Sequence, residues 1–375
     1  NTITDEFIGD PVTAEKFLGF IDSSPFGNFF KNIEGFSVWQ KSVKLGATSP
    51  KVIHSASPTN STSWHGLLSE AYLIRSNPNL LAYFHEYVQK TSSKGLWAFF
   101  IEAYDLVLQW ASLQKEDLYY VDSSGKPKGF IPCFKSSWLG GLGQLSFKEE
   151  AAGKLRIFAI VDSWTQSLLF PLHQELFNLL KMIPNDGTFN QDESVNRSKL
   201  KAATSNCVWS YDLTAATDRL PIIFQSAILD RLFPSIKIGN SWAGLLVMRD
   251  YYYDLSKYQG GKGKVRYSVG QPMGALSSWA MLALCHHYLL QYCWFLNGNR
   301  GWCDKYEILG DDLVIFDPHL AAQSLEVMKM IGMEINLSKS ISSPTRGSFE
   351  FAKRTVFNNV NVSAISFKQF ISEAS

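Results

Sequence analysis

The stretch YEILGDDLVIF, which begins at Tyr306 and ends at Phe316, has the pattern of a β-hairpin. Two β-rich runs, 306–309 and 313–316, flank the sequence Gly310-Asp311-Asp312. Such runs on either side of a Gly-Asp turn are a strong local signal for two antiparallel strands. The sequence therefore predicts a hairpin whose tip carries two adjacent carboxylates.

The segments around this hairpin predict an α+β domain. A strand is predicted at 208–213, with Asp212 at its end. Helices are predicted at 215–232, 240–255, 274–295 and 321–331, a strand at 264–269, and a second hairpin formed by 349–356 and 360–365. Antiparallel strands with helices on one face are typical of an α+β sheet domain.

The N-terminal part is predicted to be helical first and irregular afterwards. Apolar residues recur at helical spacing in 66–75, 80–89 and 96–113. Residues 123–153 are rich in Gly, Ser and Lys and are predicted as loop and turn. A strand at 154–161 and a helix at 164–181 are expected after this loop.

The composition is that of a globular protein. Of 375 residues, 46% are hydrophobic and 18% charged, and the net charge of +1 gives no overall signal for nucleic-acid binding. The cysteines at 133, 207, 285, 293 and 303 show no C-x-x-C spacing, which argues against a disulfide scaffold or a zinc knuckle. The first ten residues carry three acids and no base, so no targeting signal is visible.

One apolar stretch, 277–297, has about the length of a membrane span. His286, His287 and Gln291 lie at its centre, where polar side chains are costly in lipid. A buried core helix is therefore expected, with no membrane span. The two histidines are expected to be core or interface residues and not metal ligands.

The three aspartates Asp212, Asp311 and Asp312 are the candidate chemical centre. If their strands are neighbours, the carboxylates converge, and such groups repel each other unless cations neutralise them. Mg²⁺ suits a cluster of oxygen ligands, and two such ions can catalyse displacement at phosphorus. Taken alone, Gly-Asp-Asp is a weak motif, and a solvated turn is the alternative.

Seven segments in order resemble the motifs of viral RNA-dependent RNA polymerases of the mitovirus (narnavirus-like) family. The resemblance extends over about 150–365. The segments are GKLRIFAIVDSWTQ at 153–166 (motif F), DGTFNQD at 186–192, DLTAATDRLP at 212–221 (motif A), GQPMGALSSWAMLA at 270–283 (motif B), EILGDDLVIFD at 307–317 (motif C), INLSKS at 335–340 (motif D) and FEFAKRT at 349–355 (motif E).

The resemblance implies an α+β right-hand polymerase fold, with fingers and palm and a thumb that is short or missing. Residues 1–140 would be an N-terminal helical part of the fingers, and 141–205 the fingers with motif F. The palm, an antiparallel sheet backed by helices, would span 206–348 with an inserted fingers segment. Residues 349–375 would hold the motif E hairpin and the start of the thumb.

The same resemblance assigns catalytic roles. Asp212 and Asp311 would hold two Mg²⁺ ions, with Mn²⁺ as an alternative, and Asp312 would be a weaker or outer metal ligand. The 3′-hydroxyl of the growing strand would attack the α-phosphorus and release pyrophosphate. Lys339 would act as general acid toward the pyrophosphate.

Further residues are implied to bind nucleotide or RNA. Lys154 and Arg156 would cover the triphosphate, and Gly274 would allow the backbone to approach the nucleotide. The ribose 2′-hydroxyl would be read by Asp218 with Ser277 and Ser278. Asp218 lies six positions after Asp212, where many polymerases have five. Lys353 and Arg354 would hold the primer backbone through phosphate contacts.

Two other functions remain open. A reverse transcriptase shares the palm chemistry, but it usually has an aromatic residue before x-Asp-Asp and a bulky steric gate near motif A. In this chain Gly310 stands directly before the aspartate pair and motif A carries Asp218, and both features favour an RNA product. A catalytically inactive, virus-derived relic that only binds RNA is the second alternative, and the intact Asp212, Asp311 and Asp312 argue against it.

The expected partners are an RNA template, the nascent RNA strand and nucleoside triphosphates. The sequence identifies no protein partner. The resemblance implies that the protein works in the host mitochondrion.

Overall fold

The computed structural model describes residues 2–51, 56–59, 63–112, 119–121, 127–129, 141–149, 155–205, 207–336, 340–343 and 347–363. The helices are α1 (Pro11–Asp22), α2 (Phe36–Ser42), α3 (Ser63–Arg75), α4 (Pro78–Thr91), α5 (Lys94–Ser112), α6 (Ser163–Met182), α7 (Gln191–Ser205), α8 (Ala216–Arg219), α9 (Ile222–Leu232), α10 (Gly239–Val247), α11 (Ser278–Leu296) and α12 (Pro318–Met330), with 3₁₀ turns at Pro25–Asn32 and Ser256–Tyr258.

The strands are short and belong to four sheets. They are β1 (Tyr119–Val121), β2 (Pro127–Gly129), β3 (Gly143–Glu149), β4 (Leu155–Val161), β5 (Val208–Thr214), β6 (Tyr251–Asp254), β7 (Lys262–Val265), β8 (Tyr306–Leu309), β9 (Asp312–Ile315), β10 (Glu334–Ile335), β11 (Ile341–Ser343), β12 (Phe349–Phe351), β13 (Arg354–Phe357) and β14 (Val360–Asn361). The fold class is therefore α+β, as the sequence predicts.

The chain forms two compact units, and each is made of segments that are separate in sequence. The first unit comprises Asn1–Phe7, Trp39–Phe177 and Thr217–Met281. The second unit comprises Ile8–Val38, Asn178–Ala216 and Leu282–Ser375.

The second unit is built on a five-stranded antiparallel sheet. Strand β5 lies in its middle, with β9 and then β8 on one side and with β10 and β11 on the other. The predicted hairpin is confirmed, because β8 pairs with β9 as far as Leu309 and Asp312. Strand β9 is apolar, and its residues Leu313, Val314 and Ile315 are all buried.

A three-stranded meander, β12–β13–β14, belongs to the same unit and packs against β5 and β9. The sequence predicts one continuous strand at 349–356, but the chain turns at Ala352 and Lys353, where φ is +53° and +59°. A second turn lies at Asn358 and Asn359, as the sequence predicts, again with positive φ. Asparagine tolerates this backbone region better than most residues, which explains why only the second turn was visible in the sequence.

The first unit contains the mixed sheet β4-β3-β6-β7 and several helices. Strand β3 pairs with β4 along its whole length, from Gly143↔Val161 to Glu149↔Leu155. The prediction of a loop at 123–153 is therefore wrong for 143–149. Long-range pairing outweighs the low strand propensity of these residues.

Two predicted helices of the first unit are shorter than expected. The helix predicted at 240–255 ends at Val247, and a strand of three tyrosines and an aspartate, β6, follows it. The helix predicted at 215–232 is divided into α8 and α9, because Pro221 at the break cannot donate a backbone hydrogen bond.

The turn between α10 and β6 places Arg249 in the interior of the first unit. Its guanidinium forms an ion pair with Asp162 and donates to Thr165 Oγ1 at 2.8 Å and to the Leu142 carbonyl at 2.8 Å. Glu70 is buried nearby and accepts a hydrogen bond from the Ser163 amide at 2.7 Å. Burial and the charge of Asp162 raise the pKa of Glu70 to about 7.

Three helices begin with the same device, an Asp or Asn cap followed by proline. Asp10 precedes Pro11 in α1, Asn77 precedes Pro78 in α4, and Asp317 precedes Pro318 in α12. In each case the cap side chain accepts a backbone N–H of the first turn, which satisfies one of the donors that a helix leaves open. None of the helices within the described residues is both long and apolar enough to cross a membrane.

Candidate active site

The tip of the β8–β9 hairpin and the middle strand β5 bring the predicted carboxylates together. Asp212 stands directly opposite Asp312 in the antiparallel register of β5 and β9. Asp311 is exposed and forms a two-residue turn with Gly310, whose φ is +62°. Glycine in the first turn position with positive φ is the pattern of a type II′ hairpin turn.

Hydrogen bonds to Asn336 and Ser340, which lie between β10 and β11, hold the backbone of Asp212. Its carbonyl accepts the Asn336 amide at 2.8 Å, and its own amide donates to Ser340 Oγ at 3.3 Å. The Ser340 hydroxyl donates in turn to the Asn336 carbonyl at 2.9 Å. Both residues belong to the INLSKS segment, which therefore holds the Asp212 backbone directly.

The electrostatics of Asp312 indicate that the carboxylates repel each other. Burial, Asp311, Asp212 and Glu350 together raise the pKa of Asp312 to about 6. The amide of Ala352 donates to Asp312 and lowers the pKa. A cluster with this balance favours either a bound proton or a bound cation.

Glu350 is a member of the cluster that the sequence reasoning missed. It lies in β12, and its amide donates to Ser210 Oγ of β5 at 3.0 Å. Phe349 and Phe351 on either side are buried, whereas Glu350 is exposed. The alternation in FEF carried this information, because successive strand residues point to opposite faces.

The carboxylates fit a metal that is shared between protein and substrate. Among the described residues, no group of three or more His, Cys, Asp or Glu side chains is arranged to hold a metal ion by itself. Mg²⁺ is usually held by only one or two carboxylates together with phosphates and water. One or two of Asp212, Asp311 and Asp312 could form such a partial set, and a cation there would reduce the repulsion that raises the pKa of Asp312.

A buried ionic network supports the hairpin below its tip. Glu307 of β8 is fully buried and accepts hydrogen bonds from Ser194 at 2.7 Å, Arg197 at 2.8 Å and Lys201 at 2.8 Å. All three partners belong to α7. A buried carboxylate with two cations and a hydroxyl is well compensated, so the network fixes β8 against α7.

The DGTFNQD segment contacts the same network, because Arg197 also donates to the Asp186 carbonyl. Asp186 forms a parallel bridge with Ile308, and the Gly187 amide donates to the Ile308 carbonyl at 2.8 Å. The Ile308 amide donates to the Asn185 carbonyl at 2.9 Å. This signature segment, to which the sequence assigned no role, therefore adds an edge to the hairpin that carries Asp311.

The motif B loop lies in the first unit and is closely packed. A Cβ on Gly270 would approach the Thr217 carbonyl oxygen to 2.2 Å, and one on Gly274 would approach the Ala159 carbonyl oxygen to 2.3 Å. Gly274 also has a φ of +116°. The structure thus places the predicted nucleotide-binding Gly274 against β4, and the packing alone requires glycine there.

The predicted ribose readers also lie in the first unit. Ser277 is buried, with its amide donating to His173 Nδ1 at 3.1 Å and its hydroxyl accepting the Trp242 indole N–H at 2.9 Å. Ser278 is buried as well. Asp218 is half-buried and accepts the Thr2 hydroxyl at 2.7 Å, and burial raises its pKa.

The predicted phosphate-binding cations are spread over both units. Arg156 is exposed on β4 of the first unit, opposite Lys148. In the second unit Lys353 is exposed in the β12–β13 turn, and Arg354 forms an ion pair with Asp192. Lys154 and Lys339 lie outside the described residues.

Comparisons with known proteins identify relatives of the chain. The sequence model of the family described as "Mitovirus RNA-dependent RNA polymerase" matches residues 42–375. The chain is 41% identical over 214 residues to the RNA-directed RNA polymerase of Cryphonectria parasitica mitovirus 1, which covers 57% of the chain and 25% of that protein.

Two relatives from Arabidopsis thaliana are named uncharacterized mitochondrial proteins. AtMg01110 is 34% identical over 180 residues, which is 47% of the chain and 69% of that protein. AtMg01410 is 31% identical over 166 residues, which is 43% of the chain and 77% of that protein. The match to the viral polymerase spans about a quarter of that protein's length.

Proposed function

The chain belongs to the mitovirus RNA-dependent RNA polymerase family, and from this membership we propose that it extends an RNA strand on an RNA template by nucleotidyl transfer. The observation that carries the proposal is the register of the second unit, which sets Asp212 opposite Asp312 and places Asp311 at the adjoining turn. The raised pKa of Asp312 supports it, because the cause includes the neighbouring carboxylates.

In this proposal Asp212 and Asp311 hold Mg²⁺ or Mn²⁺, and Asp312 is an outer ligand. When bound, the ions stabilise the charge that develops at phosphorus and on the leaving oxygen. Asp212 is held by the backbone contacts of Asn336 and Ser340, and Asp312 by the Ala352 amide. The protein thus presents the carboxylates on paired strands, which fixes their spacing before substrates arrive.

The remaining roles are proposed from the family motifs. Lys339 protonates the departing pyrophosphate, while Lys154 and Arg156 neutralise the triphosphate. Asp218, Ser277 and Ser278 read the ribose, with Gly274 in the same loop. Lys353 and Arg354 contact the primer backbone, and the Arg354–Asp192 pair would be exchanged for a phosphate contact.

The fold assignments are part of the proposal. The sheet around β5 is taken as the palm within 206–348, with 1–140 and 141–205 as fingers and 349–375 as the motif E hairpin and the start of the thumb. The chain leaves the second unit after Ala216 and returns at Leu282, which supports an inserted fingers segment. The Arabidopsis relatives named as mitochondrial proteins support a mitochondrial site of action.

A primer-extension assay on an RNA template with Mg²⁺ or Mn²⁺ tests the proposal. Ribonucleotides and deoxyribonucleotides are supplied in separate reactions. RNA synthesis is the expected result. DNA synthesis in its place would identify a reverse transcriptase, and RNA binding without synthesis would identify an inactive relic.

A further inference from the structure

Two adjacent histidines of α11, His286 and His287, contact the hairpin that carries Asp311. Both are buried, with exposed fractions of 1% and 0%, in a helix that is otherwise largely apolar. Burying an imidazole costs free energy unless its nitrogens find partners. The partners that these rings do have are therefore informative about why polar residues occupy this helix.

His286 is bonded to the turn itself. Its Nδ1 lies 3.0 Å from the Gly310 carbonyl oxygen. A carbonyl can only accept, so Nδ1 carries the proton and donates. Within the described part of the chain, Nε2 of this ring is buried and has no hydrogen-bond partner. Burial lowers the pKa of His286 to about 4, which keeps the ring neutral. The ring thus delivers one hydrogen bond, and that bond goes to Gly310.

The peptide group that receives this bond is the central one of the turn. It is planar, and it joins the Gly310 carbonyl to the Asp311 amide. Rotation of this peptide interconverts the type II′ and type I′ turns, and Gly310 with a φ of +62° is compatible with both. A donor fixed beneath the carbonyl oxygen opposes the rotation, which would otherwise redirect the Asp311 side chain.

His287 is bonded to the opposite end of β8. Its Nε2 lies 3.1 Å from Asp186 Oδ2, and its Nδ1 lies 3.0 Å from the Tyr306 hydroxyl. Gln291 Nε2 also donates to that hydroxyl at 3.0 Å. Unlike His286, this ring has partners on both nitrogens, and none of them is in the turn. It offers a matched control on the same helix.

We propose that His286 is a positioning residue, whose Nδ1–H holds the Gly310–Asp311 peptide in the orientation that presents Asp311 to the metal. The inference rests on the proposed function only in treating Asp311 as a metal ligand. The hydrogen bond and its effect on the turn are properties of the second unit alone.

The test uses the 375-residue chain with side chains at position 286 that keep or remove a donor at the place of Nδ1. His286→Phe keeps a ring without a donor, and His286→Gln places its amide nearer the Nε2 position. His286→Asn places an amide N–H near the Nδ1 position. His287→Phe is the control for loss of a buried imidazole.

Mn²⁺ affinity is measured from the electron paramagnetic resonance signal of the free ion. His286→Phe and His286→Gln are expected to weaken Mn²⁺ binding roughly tenfold or more, as losses of residues behind metal ligands usually do. His286→Asn and His287→Phe are expected to change it less than about threefold. Equal weakening in His286→Asn and His286→Phe would show that packing matters and not the donor, and would overturn the proposal.

Hydrogen–deuterium exchange separates this inference from the proposed function. The peptide that covers 310–312 is expected to exchange faster in His286→Phe, but not in His286→Asn. If the wild-type chain bound no Mn²⁺ and extended no primer, the proposed function would fail, and exchange alone would decide the positioning role. Unchanged exchange in His286→Phe would reject that role whatever the activity.

Discussion

Each unit holds a cluster of carboxylates, and the two clusters differ in the sign of the charged groups that surround them. In the first unit, Glu70 and Asp162 are buried together with Arg249, whose guanidinium pairs with Asp162. In the second unit, Asp312 is surrounded by Asp212, Asp311 and Glu350, all of the same sign. The first cluster carries its own counter-ion and is complete as folded. In the second, the neighbouring carboxylates raise the pKa of Asp312, as expected where a cation and a phosphate are to be received.

The largest expected effect separates activity from stability in the second cluster. Asp311→Asn or Asp212→Asn should lower nucleotide incorporation at least roughly a thousandfold, because a metal ligand is lost. RNA binding should persist, since it depends mainly on phosphate contacts elsewhere. Without divalent ions, either substitution should leave the melting temperature unchanged or higher, because a repelling charge is removed.

Single-nucleotide extension, filter binding and thermal unfolding measure these three quantities. Near-normal extension by either variant would refute the assignment of the carboxylates. A marked loss of stability would instead show that the second cluster is as self-contained as the first.

In the first cluster, removal of a charged side chain should lower the stability of the folded chain. Arg249→Met leaves Asp162 buried without its cation and should cost about 3–5 kcal/mol of unfolding free energy. The double variant Asp162→Asn with Arg249→Met should recover part of this loss, because no uncompensated charge then remains. Thermal and urea unfolding of the two variants measure the difference. If Arg249→Met were as stable as the wild type, the contrast between the clusters would not hold.

Glu70 should make the stability that the first cluster contributes depend on pH. Its pKa is about 7 in the folded chain and 4.5 in an unperturbed carboxyl, so the folded state binds more protons between these values. The stability contributed by protonated Glu70 is present below pH 4.5 and is lost as the pH rises through 7. Glu70→Gln stays neutral, so its stability relative to wild type should rise by roughly 1–3 kcal/mol between pH 5 and pH 8. A constant difference across this range would contradict the raised pKa.

The smallest expected effect on catalysis is that of Asp218, which lies in the first unit but is proposed to bind the nucleotide. It is half-buried and bonded to Thr2, yet the motif suggests that it reads the ribose. Asp218→Ala should lower the kcat/KM for ribonucleotides more than for deoxynucleotides, narrowing their ratio about tenfold, or about 1.4 kcal/mol. Ser278→Ala should act in the same direction but more weakly, because it removes a neutral partner. Equal losses with both sugars would make Asp218 a structural residue of the first unit.

The parts of the site that were predictable from the sequence are those whose signals are local. The Gly310-Asp311 turn and the strand of Asp212 follow from β-rich runs and a glycine. The order of the motifs allowed us to predict that the turn and the strand lie close together. Glu307 and Arg249 gave no such signal, because their burial depends on partners that are distant in the sequence. The same reason hid strand β3, whose pairing with β4 outweighs its own composition.

The pairing of Asp212 with Asp312 also has a consequence for synthesis of the chain. The two residues lie about a hundred positions apart, with the first-unit segment Thr217–Met281 between them. At ~5–20 residues per second, β5 leaves the ribosome roughly 5–20 s before β9. During this interval its VWSYDLT sequence has an open strand edge, which invites pairing with other chains. The charge of Asp212 opposes such pairing. We therefore expect Asp212→Val to make the newly synthesised chain more prone to aggregation, a consequence separate from the role proposed for this carboxylate in catalysis.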